Sequence, residues 1–208
     1  MTQVVTTTRT AEVVAERRRR GTSDWAELAN LLAEPTLADA VDAAGVVVAS
    51  ALAAGHTLLV AGNGGSAAMA SHVAAEFLGK CVQDRAPLPA ISLAESTSSM
   101  SAIGNDYGFD EIFSRGVRAF GRPGDVLLVM TTSGSSPNIL AALDAAPALG
   151  LVTIALTGAR GSALIGRADH VLMVPSTETP RIQEVHLLWA HAWCEAVDLL
   201  ANEPAPDA

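Results

Sequence analysis

Cysteine is nearly absent. Cys81 and Cys194 are the two thiols in 208 residues, far apart in the chain. They offer no CxxC metal or redox spacing and no disulfide framework, so idle thiols in a reducing compartment are expected. Aromatic residues make up only 4% of the chain. The core must therefore be built from Ala, Val, Leu and Ile, which suit close packing of helices on a sheet. Positive charge is also scarce, and the formal net charge is −9. That balance argues against a broad nucleic-acid-binding surface. It still permits an anionic small molecule, because a local pocket of backbone N–H groups can override the overall field. The apolar stretch Ala44 to Ala54 falls short of the roughly 20 residues that a bilayer span requires. The basic run Arg17 to Arg20 follows a polar stretch and precedes no hydrophobic segment, so no secretion signal is legible. These absences predict a cytoplasmic protein without nucleic-acid or membrane partners.

The remaining pattern is an alternation. Strand-length apolar runs occur at Leu58–Ala61, Ala90–Leu93, Val126–Met130, Val152–Leu156 and His170–Val174. Helical stretches separate them at 66–80, 96–120 (rich in loops), 137–149, 162–167 and 181–200. Strands alternating with helices predict an α/β fold, a parallel sheet covered on both faces. Ligands of such sheets bind beyond the carboxyl ends of the strands. Two further helices are expected before the first strand, over Asp24–Leu32 and Leu37–Ala54, with Thr36 as a cap and Gly55 as a stop. The expected organisation is a flexible N-terminal tail over 1–22 with helical spacing near Ala11 to Arg20, one domain over 23–200, and a disordered tail over 201–208.

The segment around which the chain is organised is Thr57 to Glu76. Its apolar run stops at Gly62-Asn63-Gly64-Gly65-Ser66, and small helix-favouring residues follow. Glycines let the backbone approach a ligand, and a helix N-terminus offers unpaired N–H groups to a phosphate. Ser66 adds a hydroxyl. On the predicted helix, His72 and Glu76 stand four residues apart and share a face.

A second anion seat is predicted at Thr131-Thr132-Ser133-Gly134-Ser135-Ser136-Pro137-Asn138, where a strand ends and proline opens a helix. It lacks the lysine of a P-loop, so a nucleoside triphosphate is a poor fit. Gly104-Asn105-Asp106-Tyr107-Gly108 reads as a turn. Gln183, His186 and His191 lie on the last predicted helix. With His72 and Glu76, the Gln183 and His191 side chains offer either a mixed nitrogen and oxygen metal site or a metal-free acid/base pair.

Taken together, AGNGGSAA, H-x-x-x-E, AIGNDYGFDEIFSR, GRPGDVLL, TSGSSPN and RIQEVHLLWAH resemble the sugar isomerase (SIS) domain family, and within it the phosphoheptose isomerases. The resemblance runs from about Thr36 to Leu200, with the motifs in order. It implies a three-layer α/β sandwich with a five-stranded parallel sheet and added N-terminal helices. It also implies a homotetramer with active sites between subunits. The activity implied is conversion of the sugar phosphate sedoheptulose 7-phosphate to glycero-manno-heptose 7-phosphate. On the same ground, Asn63, Gly64, Ser66, Asn105, Asp106, Thr131, Thr132, Ser133, Ser136 and Gln183 match substrate and phosphate positions. Glu76 and His191 match the catalytic pair. His72, Glu76, Gln183 and His191 match the Zn²⁺ ligands of some members. The chain departs from the family pattern at Met69, Lys80, Ser96 and Pro180, where acidic residues, or arginine at position 80, are frequent. Non-catalytic SIS-domain adaptors, such as those that bind the replication initiator, are the alternative from another class. An isomerase of another ketose phosphate differs only in substrate.

Overall fold

The computed structural model describes residues 7–202. Five strands form one parallel sheet: β1 (Leu58–Gly62), β2 (Ala90–Ser92), β3 (Val126–Met130), β4 (Val152–Gly158) and β5 (His170–Val174), in the order β2-β1-β3-β4-β5. β1 lies between β2 and β3, with Leu58 opposite both Ala90 and Val126. All residues of β1 and β3 are buried. That explains why they read as continuous apolar runs and not as alternating ones.

Period 2 splits the strand side chains between two cores. Leu58, Val60, Val126, Leu128, Ile154 and Leu156 face one core, with α2 (Pro35–Ala53), α3 (Gly65–Leu78) and α7 (Thr179–Asn202) packed over them. Leu59, Ala61, Leu127, Val129 and Ala155 face the other, beneath α5 (Ile112–Phe120) and α6 (Pro137–Ala145). The result is the three-layer α/β sandwich expected. α2 is the one helix, among the described residues, as long and apolar as a membrane span. Here Val41, Ala44, Val48 and Leu52 turn one face of it into the core. It begins at Pro35 with Glu34 at the cap position, not Thr36.

The N-terminus differs from expectation. α1 runs unbroken over Thr7–Leu32, through the arginine run, so no tail boundary falls at residue 22. From Arg20 onward the helix is tied to the domain by tertiary contacts. Arg20 pairs with Glu178 at 2.7 Å, Arg181 donates to the Gly21 carbonyl at 2.9 Å, and the Trp25 indole donates to Glu184. Leu28 enters the core. The rest of the expected tail, residues 1–6, lies outside the described residues. At the other end Ala201 and Asn202 belong to α7, and 203–208 lie outside the described residues.

A second difference is the Gly104–Gly108 turn. Gly104 to Tyr107 form the last turn of α4 (Thr97–Tyr107), and Gly108 ends it at φ +93°. Ser96 caps the start by accepting a hydrogen bond from the Ser99 N–H.

Candidate active site

The sheet reverses direction of growth at β1: β2 is added on one side, β3 on the other. Such a switch point leaves a crevice at the strands' carboxyl ends. The two anion loops predicted from sequence flank it, one after β1 and one after β3. Gly64 stands at the N-cap of α3 with φ +55°, a conformation that favours glycine. Ser66 is buried in the first turn of α3, and its N–H donates to the Asn63 carbonyl at 2.9 Å.

The second loop is braced from within. Buried Thr131 accepts from the Gly134 N–H at 3.2 Å. The exposed Ser133 hydroxyl accepts from the Ser135 N–H and hydroxyl at 3.3 and 3.1 Å. Thr132 is half-buried. Ser136 occupies the N-cap of α6 without a side-chain cap bond, ahead of Pro137.

One residue that the sequence placed at the end of the second loop without a role of its own joins the two loops. Asn138 is buried, and its amide exchanges two hydrogen bonds with that of Asn63, both 2.8 Å. Asn63, expected to contact substrate, therefore has one donor and one acceptor committed to the second loop. The only signal in sequence was an asparagine in the first turn of α6, which reads as ordinary helix-start chemistry. Asn105 and Asp106 are exposed at the end of α4, and the Asn105 amide donates to the Asp106 carboxylate at 2.7 Å. No hydrogen bond recorded among the described residues joins either side chain to the anion loops.

The chemistry-bearing cluster lies along α3 and α7, which run side by side. His72 Nε2 and His191 Nε2 are 2.9 Å apart, with the rings edge-to-face. His72 Nε2 stands 3.4 Å from Glu76 Oε1. One ligand atom from each of the three lies within 4.8 Å of the others. Glu76 and His191 are half-buried and His72 is exposed. The His72–His191 contact joins positions 119 residues apart. Gln183 lies against the glycine loop: a Cβ on Gly65 would sit 2.6 Å from its Nε2, so a larger residue there would push the amide aside. His186 is the histidine that faces away. It is wholly buried and lies against Trp189.

Donor chemistry and spacing fit a zinc ion. Bond lengths near 2.0–2.2 Å put tetrahedral ligand atoms about 3.3–3.6 Å apart. The His72–Glu76 separation of 3.4 Å matches, and the imidazoles at 2.9 Å need to open by only a few tenths of an ångström.

Residues 25–158 match the SIS domain family model. A phosphoheptose isomerase of Rhodospirillum rubrum is 52% identical over 157 residues, 76% of this chain and 83% of that one. This chain belongs to the phosphoheptose isomerase family. Another relative, from Solidesulfovibrio magneticus, is 50% identical over 187 residues, covering 90% of this chain and 85% of that protein. The solved phosphoheptose isomerase from Neisseria gonorrhoeae superposes with a TM-score of 0.80 at 39% identity, over 91% of this chain and 99% of that one. The one from Francisella tularensis gives 0.79 at 37%, over 91% and 98%. As a phosphoheptose isomerase family member, the chain shares its fold with the two solved relatives over 91% of its length.

Proposed function

We propose that this chain is an aldose–ketose isomerase that converts D-sedoheptulose 7-phosphate to D-glycero-D-manno-heptose 7-phosphate through an enediol or enediolate. The observation that carries the reading is the meeting of His72, Glu76 and His191 on two helices, beside a crevice flanked by two hydroxyl-bearing loops. Ser66 to His72 is six residues, about 9 Å along the helix axis. Helical side chains lean back toward the N-terminus, so a seven-carbon chain with its phosphate at the loops brings its carbonyl end to Glu76 and His191.

The phosphate sits among Ser66, Thr131, Thr132, Ser133, Ser136 and the N–H groups at the start of α3, with Gly64 allowing close approach. Asn63, Asn105, Asp106 and Gln183 bind the sugar. Glu76 takes the proton from C1 of the ketose and returns it to C2. His191 gives a proton to the C2 oxygen and receives one from the C1 oxygen, so the sugar ends with the same atoms and charge. His72, Glu76, His191 and Gln183 would hold a zinc ion. When bound, it supplies Lewis-acid stabilisation of the oxygens of the enediolate.

The enzyme acts in the cytoplasm as a homotetramer with active sites between subunits. Support for association is an apolar groove lined by Ile91, Leu93, Met100, Ile103, Ile112 and Phe120. The adaptor alternative gives the three-group cluster no task. The test is direct: purified protein is incubated with sedoheptulose 7-phosphate, with and without a chelator, and aldose formation is followed. Turnover is expected, and its loss with the chelator assigns the metal. Absence of turnover in both arms, with zinc added, refutes the isomerase reading.

A further inference from the structure

Away from the crevice, one polar cluster is almost free of solvent. The side chains of Arg85 and Asp198 are 2% and 1% exposed, and Arg85 Nε donates to Asp198 Oδ1 at 2.7 Å. The other carboxylate oxygen accepts three backbone N–H groups, from Cys81, Val82 and Gln83, at 3.1, 2.7 and 3.0 Å. The rest of the guanidinium caps α3. Arg85 Nη2 donates to the carbonyl of Glu76 at 3.0 Å, and Nη1 to the carbonyls of Phe77, Gly79 and Ala86 at 2.8, 3.3 and 3.1 Å. One side chain thus satisfies the last carbonyls of the helix that carries Glu76, at its negative end.

The partner carboxylate stands on the other helix of the site. Asp198 is seven residues after His191, on the same face of α7 and about 10 Å further along it. The ion pair therefore spans the two helices one step from Glu76 and two turns from His191. We infer that Arg85 and Asp198 are positioning residues: their buried pair fixes the axial register of α3 against α7 and so holds His72 and Glu76 in contact with His191. The role of those three groups in isomerisation rests on the function proposed above; the register does not.

Two considerations favour register over bulk stability. A buried ion pair is an inefficient way to stabilise a core, because desolvation offsets most of the attraction. The bonds are also placed where a slide of about 1 Å would part the imidazoles, which touch at 2.9 Å, and a misplacement of that size costs about 10²-fold in rate. The phosphate loops lie at the opposite end of α3 and are tied to each other through Asn63 and Asn138. Substrate binding should survive the loss of register better than catalysis does.

The test uses the full chain carrying Asp198→Asn, or Arg85→Lys, which keeps charge but loses the planar fork. Long-range ¹H–¹⁵N imidazole spectra of metal-free protein are recorded first. The His72 and His191 signals are expected to move in both variants while those of His186 stay. Steady-state kinetics on sedoheptulose 7-phosphate should then show kcat reduced by about 10- to 100-fold with KM changed by less than about twofold. Folded variants with unmoved His72 and His191 signals and wild-type kcat overturn the proposal, as does a raised KM with intact kcat. If Asp198→Asn fails to fold, Arg85→Lys decides. If the wild-type protein does not turn over this substrate, the functional reading falls and the imidazole spectra alone decide the register.

Discussion

Replacing His186 with Phe should flatten the acid dependence of stability. His186 is wholly buried, and neither of its nitrogens has a hydrogen-bond partner. Burial pushes its pKa down from 6.5 to about 4, and the nearby Thr157 backbone offsets only a lesser part. The folded state therefore holds the ring neutral where the unfolded chain protonates it. Stability from this group is complete above pH 6.5 and is lost as pH falls toward 4. A shift of that size is worth about 3 kcal/mol in total, most of it gone by pH 4.5. Burial pushes the Asp198 and Asp169 carboxyls up, but hydrogen bonds from Val82, Gln83 and Arg85 in one case and from Thr153 in the other together outweigh it and hold both pKa values below the ordinary one. Their contributions are lost only as pH falls below the ordinary carboxylate range. The assay is chemical denaturation at fixed protein concentration, at pH 8 and pH 4.5. Wild type should lose on the order of 2–3 kcal/mol more than His186→Phe. The Phe variant should be at least as stable as wild type at pH 8, because an apolar ring replaces two unpartnered nitrogens. Equal losses in the two proteins would refute the reasoning.

Three other outcomes are expected. Glu76→Gln should lower turnover of sedoheptulose 7-phosphate by at least about 10²-fold while circular dichroism and oligomeric state stay native; a fully active variant rejects the carboxylate's role. Ser133→Ala should weaken phosphate-bearing ligands by about tenfold, the effect of one hydrogen bond to a charged group, and leave dephosphorylated analogues unchanged; equal weakening in inhibition assays counts against the cradle. Gly65→Ala should divide stability from activity. Alanine favours the helix by up to about 1 kcal/mol, yet its Cβ would stand 2.6 Å from Gln183 Nε2. Melting temperature should hold or rise while kcat/KM falls, and unchanged kcat/KM would show that Gln183 has no task in the site.

The local half of this protein was legible as text. Val126–Met130 and Leu58–Gly62 are buried on both faces, so their apolar runs announced a parallel sheet. Gly62 to Ser66 and Thr131 to Pro137 carry loop chemistry in their own residues. The i, i+4 spacing of His72 and Glu76 needs only a helix. Local composition misled where packing overrode it. The GNDYG segment is rich in turn formers, yet it closes a helix. The arginine run is helical and exposed, as its composition suggests, but Glu178, Arg181 and Glu184 tie its end at Arg20, Gly21 and Trp25 to the domain from more than 150 residues away.

Sequence by itself determined which residue types stand at the ends of which strands, because hydrophobic period and turn chemistry act over a few residues. Only the tertiary structure decided which of them meet. His191 reaches His72 across 119 residues, Asn138 reaches Asn63 across 75, and Asp198 reaches Arg85 across 113. Such pairs are set by strand order and by the parallel course of α3 and α7. Both are properties of the assembled sheet that no short window of the chain contains.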